Sequence, residues 1–333
     1  MMSTVNRQPS TDNKRIIITG GAGFIGSNLV EALLQDARVK KVRVIDDLSN
    51  GYYSNIQAFE GNPKFEFVKE DICNYEAMVD LFQGFDAISH QAALGSVPRS
   101  IQNPMRSNAV NVDGTINVLH AAVQNNIDRV ILACSSSTYG DSPTLPKVES
   151  VIGRPLSPYA ITKYAVELYA DVFQKTYGLN YIGFRYFNVF GPKQSPDNPY
   201  AAVIPLFAKA FREGYAPTIN GDGETSRDFT YVANAVQANI LGLFTNKKEA
   251  LNQIYNMACG EQTTLNQMVE NLRQISGKNI KATYGPERAG DVRHSKADIS
   301  KIQNLLGYEP KVKFAQGLEE VYKWYIESGH TFA

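Results

Sequence analysis

At 333 residues the chain is sized for about two domains and is long enough to bury a core without covalent staples. Apolar residues make up 43% and charged residues 20%, which excludes a disordered chain, a coiled coil and a collagen-like fibre. With 33 basic and 33 acidic side chains the formal net charge is zero, so no global field holds nucleic acid or an anionic membrane, and any phosphate needs a local pocket. Met1 to Asn13 is polar and has no apolar stretch of the signal-peptide kind, and no run of about 18 apolar residues follows, so a soluble cytoplasmic chain is expected. Lys14 to Thr19 reads as a buried parallel strand around Ile16-Ile17-Ile18. A glycine-rich turn and a helix over Phe24 to Leu34 come next. Strands are expected at Val42–Ile45, Phe65–Val68 with Asp71-Ile72, Ala87-Ile88, Val130–Leu132 and Tyr181–Phe184, with a helix through Asn117 to Val123. Strands alternating with helices over this length predict an α/β doubly wound parallel sheet.

The pattern changes after Phe190. Gly191-Pro192 and Ser195–Pro199 break both periods, and shorter elements follow: helices near Val203–Phe211, Ala233–Leu243 and Leu265–Ile275, and a loop at Asn220–Thr225. A smaller mixed α/β C-terminal domain fits, with 14–190 as the first unit and 191–333 as the second. That boundary is soft, because Gln253–Met257 could return a strand to the first sheet. Cys73, Cys134 and Cys259 are odd in number and far apart, and only four histidines are present, so buried thiols are expected rather than disulfides or a metal site. His90 and His294 read as structural, and Trp324 and Tyr325 as core.

Two constellations carry chemistry. Gly20, Gly23 and Gly26 sit between the first strand and the first helix, spaced for a tight turn, for close backbone approach to a pyrophosphate, and for helix-on-strand packing. Asp46 lies twenty residues past Gly26 at the next strand end, where a carboxylate takes the adenosine ribose hydroxyls and repels a 2′-phosphate. NAD is the cofactor this arrangement favours. The second constellation is Tyr159 and Lys163, four apart on one helix face, so that an ammonium can lower the phenol's pKa and make it a general base. It follows the strand end Ser135-Ser136-Ser137-Thr138-Tyr139-Gly140, where Ser135 can relay a proton or hold a substrate hydroxyl.

Together with Asp71-Ile72 and Arg185-Tyr186-Phe187-Asn188, these motifs make the chain resemble the extended short-chain dehydrogenase/reductase superfamily, with a Rossmann cofactor domain. Within it, residues 90–100 and 200–205 are most similar to NAD-dependent nucleotide-sugar 4-epimerases, especially bacterial UDP-N-acetylglucosamine 4-epimerases of surface polysaccharide (O-antigen) pathways. The likeness runs from about residue 15 to about 325, nearly the whole chain.

By position, the resemblance implies Phe24 and Ile25 at the pyrophosphate, Asp46, Asn50 and Gly51 around the ribose, and Asp71 and Ile72 at the adenine. It implies Gln91, Ala92 and Ala93 along the cofactor, Lys163 at the nicotinamide ribose, and Phe187 near the nicotinamide. For a UDP-sugar it implies Gly95, Ser96, Ser135, Ser136, Ser137 and Asn188 around the sugar. Ala202, Val203, Thr218, Ile219, Asn220, Arg227 and Arg288 would surround the uridine diphosphate; read alone, the two arginines are equally solvated loop cations. Related 4,6-dehydratases carry an Asp-Glu pair where this chain has Ser136 and Ser137, so elimination of water is disfavoured. Galactose-type epimerases carry a bulky residue where this chain has Ser295. That serine either starts the turn at 296–298 or, with the small Ala202 and Gly95, leaves room for an N-acetyl group.

The expectation is a UDP-N-acetylglucosamine/UDP-N-acetylgalactosamine 4-epimerase working through a transient 4-keto sugar. The alternatives are a UDP-N-acetylhexosaminuronate or UDP-glucose 4-epimerase, a net NAD-dependent oxidoreductase, and, remotely, a non-catalytic NAD-binding regulator. A homodimer is expected through helices spanning Asn111–Val123 and Ser157–Tyr177, which pair into a four-helix bundle.

Overall fold

Ile16, Ile17 and Ile18 are all fully buried, so the first strand is covered on both faces, as a parallel sheet between helices requires. The computed structural model describes residues 13–195, 202–287 and 293–327. Strand β1 (Lys14–Thr19) pairs with β2 (Val39–Ile45) on one side and with β4 (Ala87–His90) on the other. Outside β2 lies β3 (Phe65–Val68); outside β4 lie β5 (Arg129–Ser135), β6 (Asn180–Tyr186) and finally Gln253–Met257. All seven strands run parallel. The order of addition reverses between β1 and β4, so the crevice at their C-terminal ends is the place where such sheets bind ligands.

Alternate residues of β1 face opposite ways: Ile16 and Ile18 join one core with Leu29 and Val30 of α1 (Phe24–Gln35), and Ile17 joins another with Val118 and Val166. Helix α2 (Tyr75–Leu81) is capped by Asn74, and two short helices follow, α3 (Val97–Gln102) capped by Ser96 and α4 (Pro104–Asn108) capped by Asn103. A π-helical turn over Ala109–Asp113 leads into α5 (Gly114–Gln124). Helix α6 (Pro158–Tyr177) starts with proline after the Ser157 cap, whose hydroxyl oxygen accepts from Ala160 N–H, and stops at Gly178 in the left-handed region.

Beyond β6 the chain builds a third core from Phe190, Phe207, Phe211, Leu272, Phe314 and Leu318, under helices Val203–Glu213, Leu265–Ser276 and Phe314–Glu327. Helix Val232–Phe244 instead packs Ala235, Val236 and Leu243 into the core that β1 and α1 share. No helix among the described residues is long and apolar enough to cross a membrane. Cys134 and Cys259 are buried, but Cys73 is only half-buried, in the turn before α2, where its thiol donates to Ala109 O.

Candidate active site

The glycine loop closes with no space to spare. Gly20 has φ +71°, and a Cβ there would lie 2.5 Å from Ala92 N; a Cβ on Gly26 would lie 2.2 Å from Gly20 O. Bare backbone therefore meets a cleft of about 910 Å³, which opens over the C-terminal ends of the strands. Gly20, Gly23, Phe24, Ile25 and Gly26 line it on one side with Asp46, Asn50 and Gly51. Asp46 is nearly buried and accepts from Ala22 N–H (2.9 Å) and Leu48 N–H (2.9 Å), so its carboxylate is aimed before any ligand arrives. Burial raises its pKa, and those two N–H groups pull the other way. Asp71 and Ile72 line the same end; burial pushes the Asp71 carboxyl up, but the Cys73 N–H and the Arg106 guanidinium outweigh it and leave it below the usual range. Gln91, Ala92 and Ala93 continue the wall, and Gln91 is locked by Ser89 (2.9 Å), Asn239 (3.1 Å) and the Tyr186 hydroxyl (3.1 Å). Glycine where a side chain would clash, and a pre-aimed carboxylate at the second strand, are features a dinucleotide needs.

The hydroxyl end of the cleft is built from β5 and α6. Ser135 Oγ accepts from Ser137 N–H (3.1 Å) and from the Ser137 hydroxyl (2.9 Å). Tyr159 is half-buried on the first turn of α6, where its N–H donates to Ser100 Oγ (3.0 Å). Burial raises the Tyr159 pKa, and the neighbouring Ser135 hydroxyl lowers it in part. Lys163, one turn on, donates to Ala133 O (2.8 Å), and burial pushes its pKa down to about 8. The ammonium is thus directed at a carbonyl, and the Ser135 hydroxyl is the neighbouring group that lowers the pKa of the phenol.

Ser136, Ser137, Gly95, Asn188, Arg227 and Ser295 also line the cleft. A Cβ on Gly95 would meet nothing within 4 Å, and Ser295 is half-buried. Arg227 donates to Ser226 O (2.9 Å) and Arg293 O (3.3 Å). Other expected residues lie elsewhere. Phe187 is fully buried against Tyr139, Ala258 and Ala297. Ile219 points into the third core because strand alternation turns Thr218 and Asn220 outward instead. Ser96 is occupied as the α3 cap, and Ala202, exposed, and Val203, half-buried against the third core, start a helix outside the cleft lining. Arg288 lies outside the described residues. His90 bonds Thr19 (2.6 Å) and Thr115 (2.9 Å) inside the core, and His294 bonds Ser226 (2.8 Å).

The sequence reading missed Ser100, and it missed Asn111, whose amide accepts from Leu94 N–H (2.8 Å) and donates to Leu94 O (3.3 Å) and Thr162 Oγ1 (3.1 Å). Ser100 ties the start of α6 to α3, and Asn111 ties α6 to Leu94 of the cleft wall, through contacts distant in sequence. Among the described residues no group of three or more His, Cys, Asp or Glu side chains could hold a metal ion.

Comparison with known proteins agrees with this geometry. The family described as GDP-mannose 4,6 dehydratase matches residues 17–321. The chain is similar to a solved UDP-N-acetylglucosamine 4-epimerase from Methanobrevibacter ruminantium in complex with UDP-N-acetylmuramic acid, with 40% identity, TM-score 0.88, and coverage of 95% of this chain and 99% of that one. It is also similar to the UDP-glucuronic acid 4-epimerase of Bacillus cereus solved with UDP-glucuronic acid and NAD, with 32% identity, TM-score 0.87, and coverage of 94% and 99%. A UDP-glucose 4-epimerase of Mycolicibacterium smegmatis is 33% identical over 93% of this chain and 98% of its own length. With strand order, glycine loop and Ser-Tyr-Lys cleft all in place, the chain belongs to the GDP-mannose 4,6-dehydratase family of extended short-chain dehydrogenases/reductases.

Proposed function

We propose that the chain is a UDP-sugar 4-epimerase that binds NAD and acts on UDP-N-acetylglucosamine and UDP-N-acetylgalactosamine. The observation that carries this reading is Tyr159 beside Ser135 in the same cleft as the glycine loop and Asp46. Gly20–Gly26, Asp46, Asp71 and Gln91 would hold NAD, which when bound would supply a hydride acceptor and donor for sugar C4, leaving no net redox change. Tyr159 as phenolate takes the 4-hydroxyl proton and later returns it, with Ser135 holding that oxygen. Lys163 contributes a hydrogen-bond donor at the ribose end of the cleft. Arg227 supplies charge for the diphosphate, which a chain of zero net charge must provide locally. Ser136 and Ser137 carry no acid or base for elimination of water, which separates this site from the dehydratases of the same family.

Room for a 2-acetamido group comes from the open space at Gly95 and from the small Ser295, both in the cleft lining. Residues 14–190, completed by helix Val232–Phe244 and strand Gln253–Met257, serve as the cofactor unit and the remainder of 191–333 as the substrate unit, in a cytoplasmic homodimer joined through α5 and α6 as a four-helix bundle. The test is incubation with UDP-N-acetylglucosamine, UDP-glucose and UDP-glucuronate in parallel, with chromatography of the products. The acetylated sugar is expected to turn over fastest, and failure to turn it over ends this substrate reading. Tyr159→Phe is expected to keep the fold and NAD yet lose several orders of magnitude in rate; retention of more than about a tenth overturns the assignment of the base.

A further inference from the structure

Asp228 is completely buried and has no part in the chemistry above. Its side chain accepts three backbone N–H groups: Oδ1 takes Cys259 (3.0 Å), and Oδ2 takes Gly260 (3.0 Å) and Ala297 (3.1 Å). Those donors belong to two distant stretches, the turn after Gln253–Met257 and the segment 293–298 that carries Ser295. The main-chain carbonyl of Asp228 accepts from Asn188 Nδ2 (3.0 Å), and Asn188, a cleft residue, sits at φ 37°. Arg227, its chain neighbour, faces the cleft. A single residue therefore gathers Asn188, Arg227 and the Ser295 segment. An apolar side chain of that size would fill the volume without burying a carboxylate, but it could not satisfy three main-chain donors at once.

We propose that Asp228 is a positioning residue, fixing Asn188, Arg227 and the Ser295 segment as one wall over the sugar-diphosphate half of the cleft. This inference rests on the UDP-sugar reading of the site. Substrate affinity depends on that wall, whereas the Tyr159 end and the glycine loop stand on β1, β5 and α6 and do not. Asp228→Asn keeps the size but turns one acceptor into a donor, so either Cys259 N–H or the Gly260 and Ala297 pair faces a like group. Asp228→Ser keeps an oxygen but cannot span both segments.

Both variants are to be measured for bound NAD, thermal melting, UDP affinity by calorimetry, and KM and kcat with UDP-N-acetylglucosamine. The expected result is NAD retained, a cooperative melt, kcat within about threefold of wild type, and KM and the UDP Kd raised roughly ten- to a hundredfold. Wild-type KM and UDP affinity in both variants overturn the inference, as does a fall in kcat at unchanged KM. Loss of NAD and of a cooperative melt in both makes Asp228 a folding residue and overturns it equally. If the wild type turns over no UDP-sugar, the functional reading fails, and UDP titration of wild type against variants still decides Asp228.

Discussion

Tyr159 feels two opposed influences that titration separates: burial raises its pKa and the Ser135 hydroxyl lowers it. The base must be deprotonated to act, so kcat/KM climbs with pH along a limb set by this phenol. In Ser135→Ala the lowering influence is gone, and the limb is expected to move to higher pH, with kcat reduced about a hundredfold or more at neutrality. A limb that stays put removes Ser135 from the proton transfer. Ser295 is tested by size. Ser295→Tyr places a ring where the acetamido group is to sit, which costs about 1–3 kcal/mol for the acetylated sugar and little for UDP-glucose. The ratio of kcat/KM values is expected to shift roughly ten- to a hundredfold toward the unacetylated sugar. If both fall together, Ser295 is not what admits the acetamido group.

Helix α6 carries two apolar stripes. Ala160, Val166, Ala170 and Phe173 face the sheet, while Ile161, Leu168, Tyr169 and Val172 stay exposed along the other side, 59% and 52% for the first two. One stripe is enough to dock a helix on a sheet, and the proposed homodimer would cover the second with an identical helix across a two-fold. Leu168→Glu with Val172→Glu is expected to give a monomer by sedimentation at micromolar concentration where the wild type is a dimer; a wild-type monomer refutes the pairing. The long elements were legible because apolar runs and the 3.6-residue period write themselves into α1, α6 and the central strands. Helices α3 and α4 were not, since each spans under two turns and is defined by a proline and a cap rather than by a buried stripe. Glycine loop, Asp46, Ser135, Tyr159 and Lys163 were legible because their chemistry depends on spacing. Ser100 and Asn111 were invisible, because their bonds go to groups that only the fold brings near. Ile219 shows the limit of placing residues by likeness: position along a strand is carried over, but the face a side chain takes follows from local alternation.

At the scale of the molecule, buried titratable groups set the response to acid. His90 is held neutral, its pKa pushed down to about 3 by burial first and the Lys163 charge second, with Thr19 and Thr115 bonding its ring. Unfolded chains bind a proton at this imidazole below about pH 6.5 while the folded chain refuses it, so stability is lost as pH falls through that window, by about 1.4 kcal/mol per unit. His90→Gln is expected to be less stable than wild type at pH 7, with the gap closing by about 2 kcal/mol at pH 5 in urea melts. A gap independent of pH would mean that His90 titrates alike in the folded and unfolded chains, so that burial does not hold it neutral. Asp228, pushed up to about 7 by burial against its three N–H partners, works with the opposite sign, binding a proton in the folded state between about pH 4 and 7, and cancels in that comparison. The strand Gln253–Met257 has a different bearing, on how such a protein can be recombined. Its Tyr255 and Met257 share a core with Phe184 of β6, although some seventy residues of chain intervene. A chimaera joined at residue 190 would thus import a foreign edge strand along with the foreign sugar site, and mismatch its seam with β6. Exchange of specificity between relatives calls for further crossovers that leave both helix Val232–Phe244 and this strand to the host, so that it keeps its own sheet and core and receives only the segments that face the sugar.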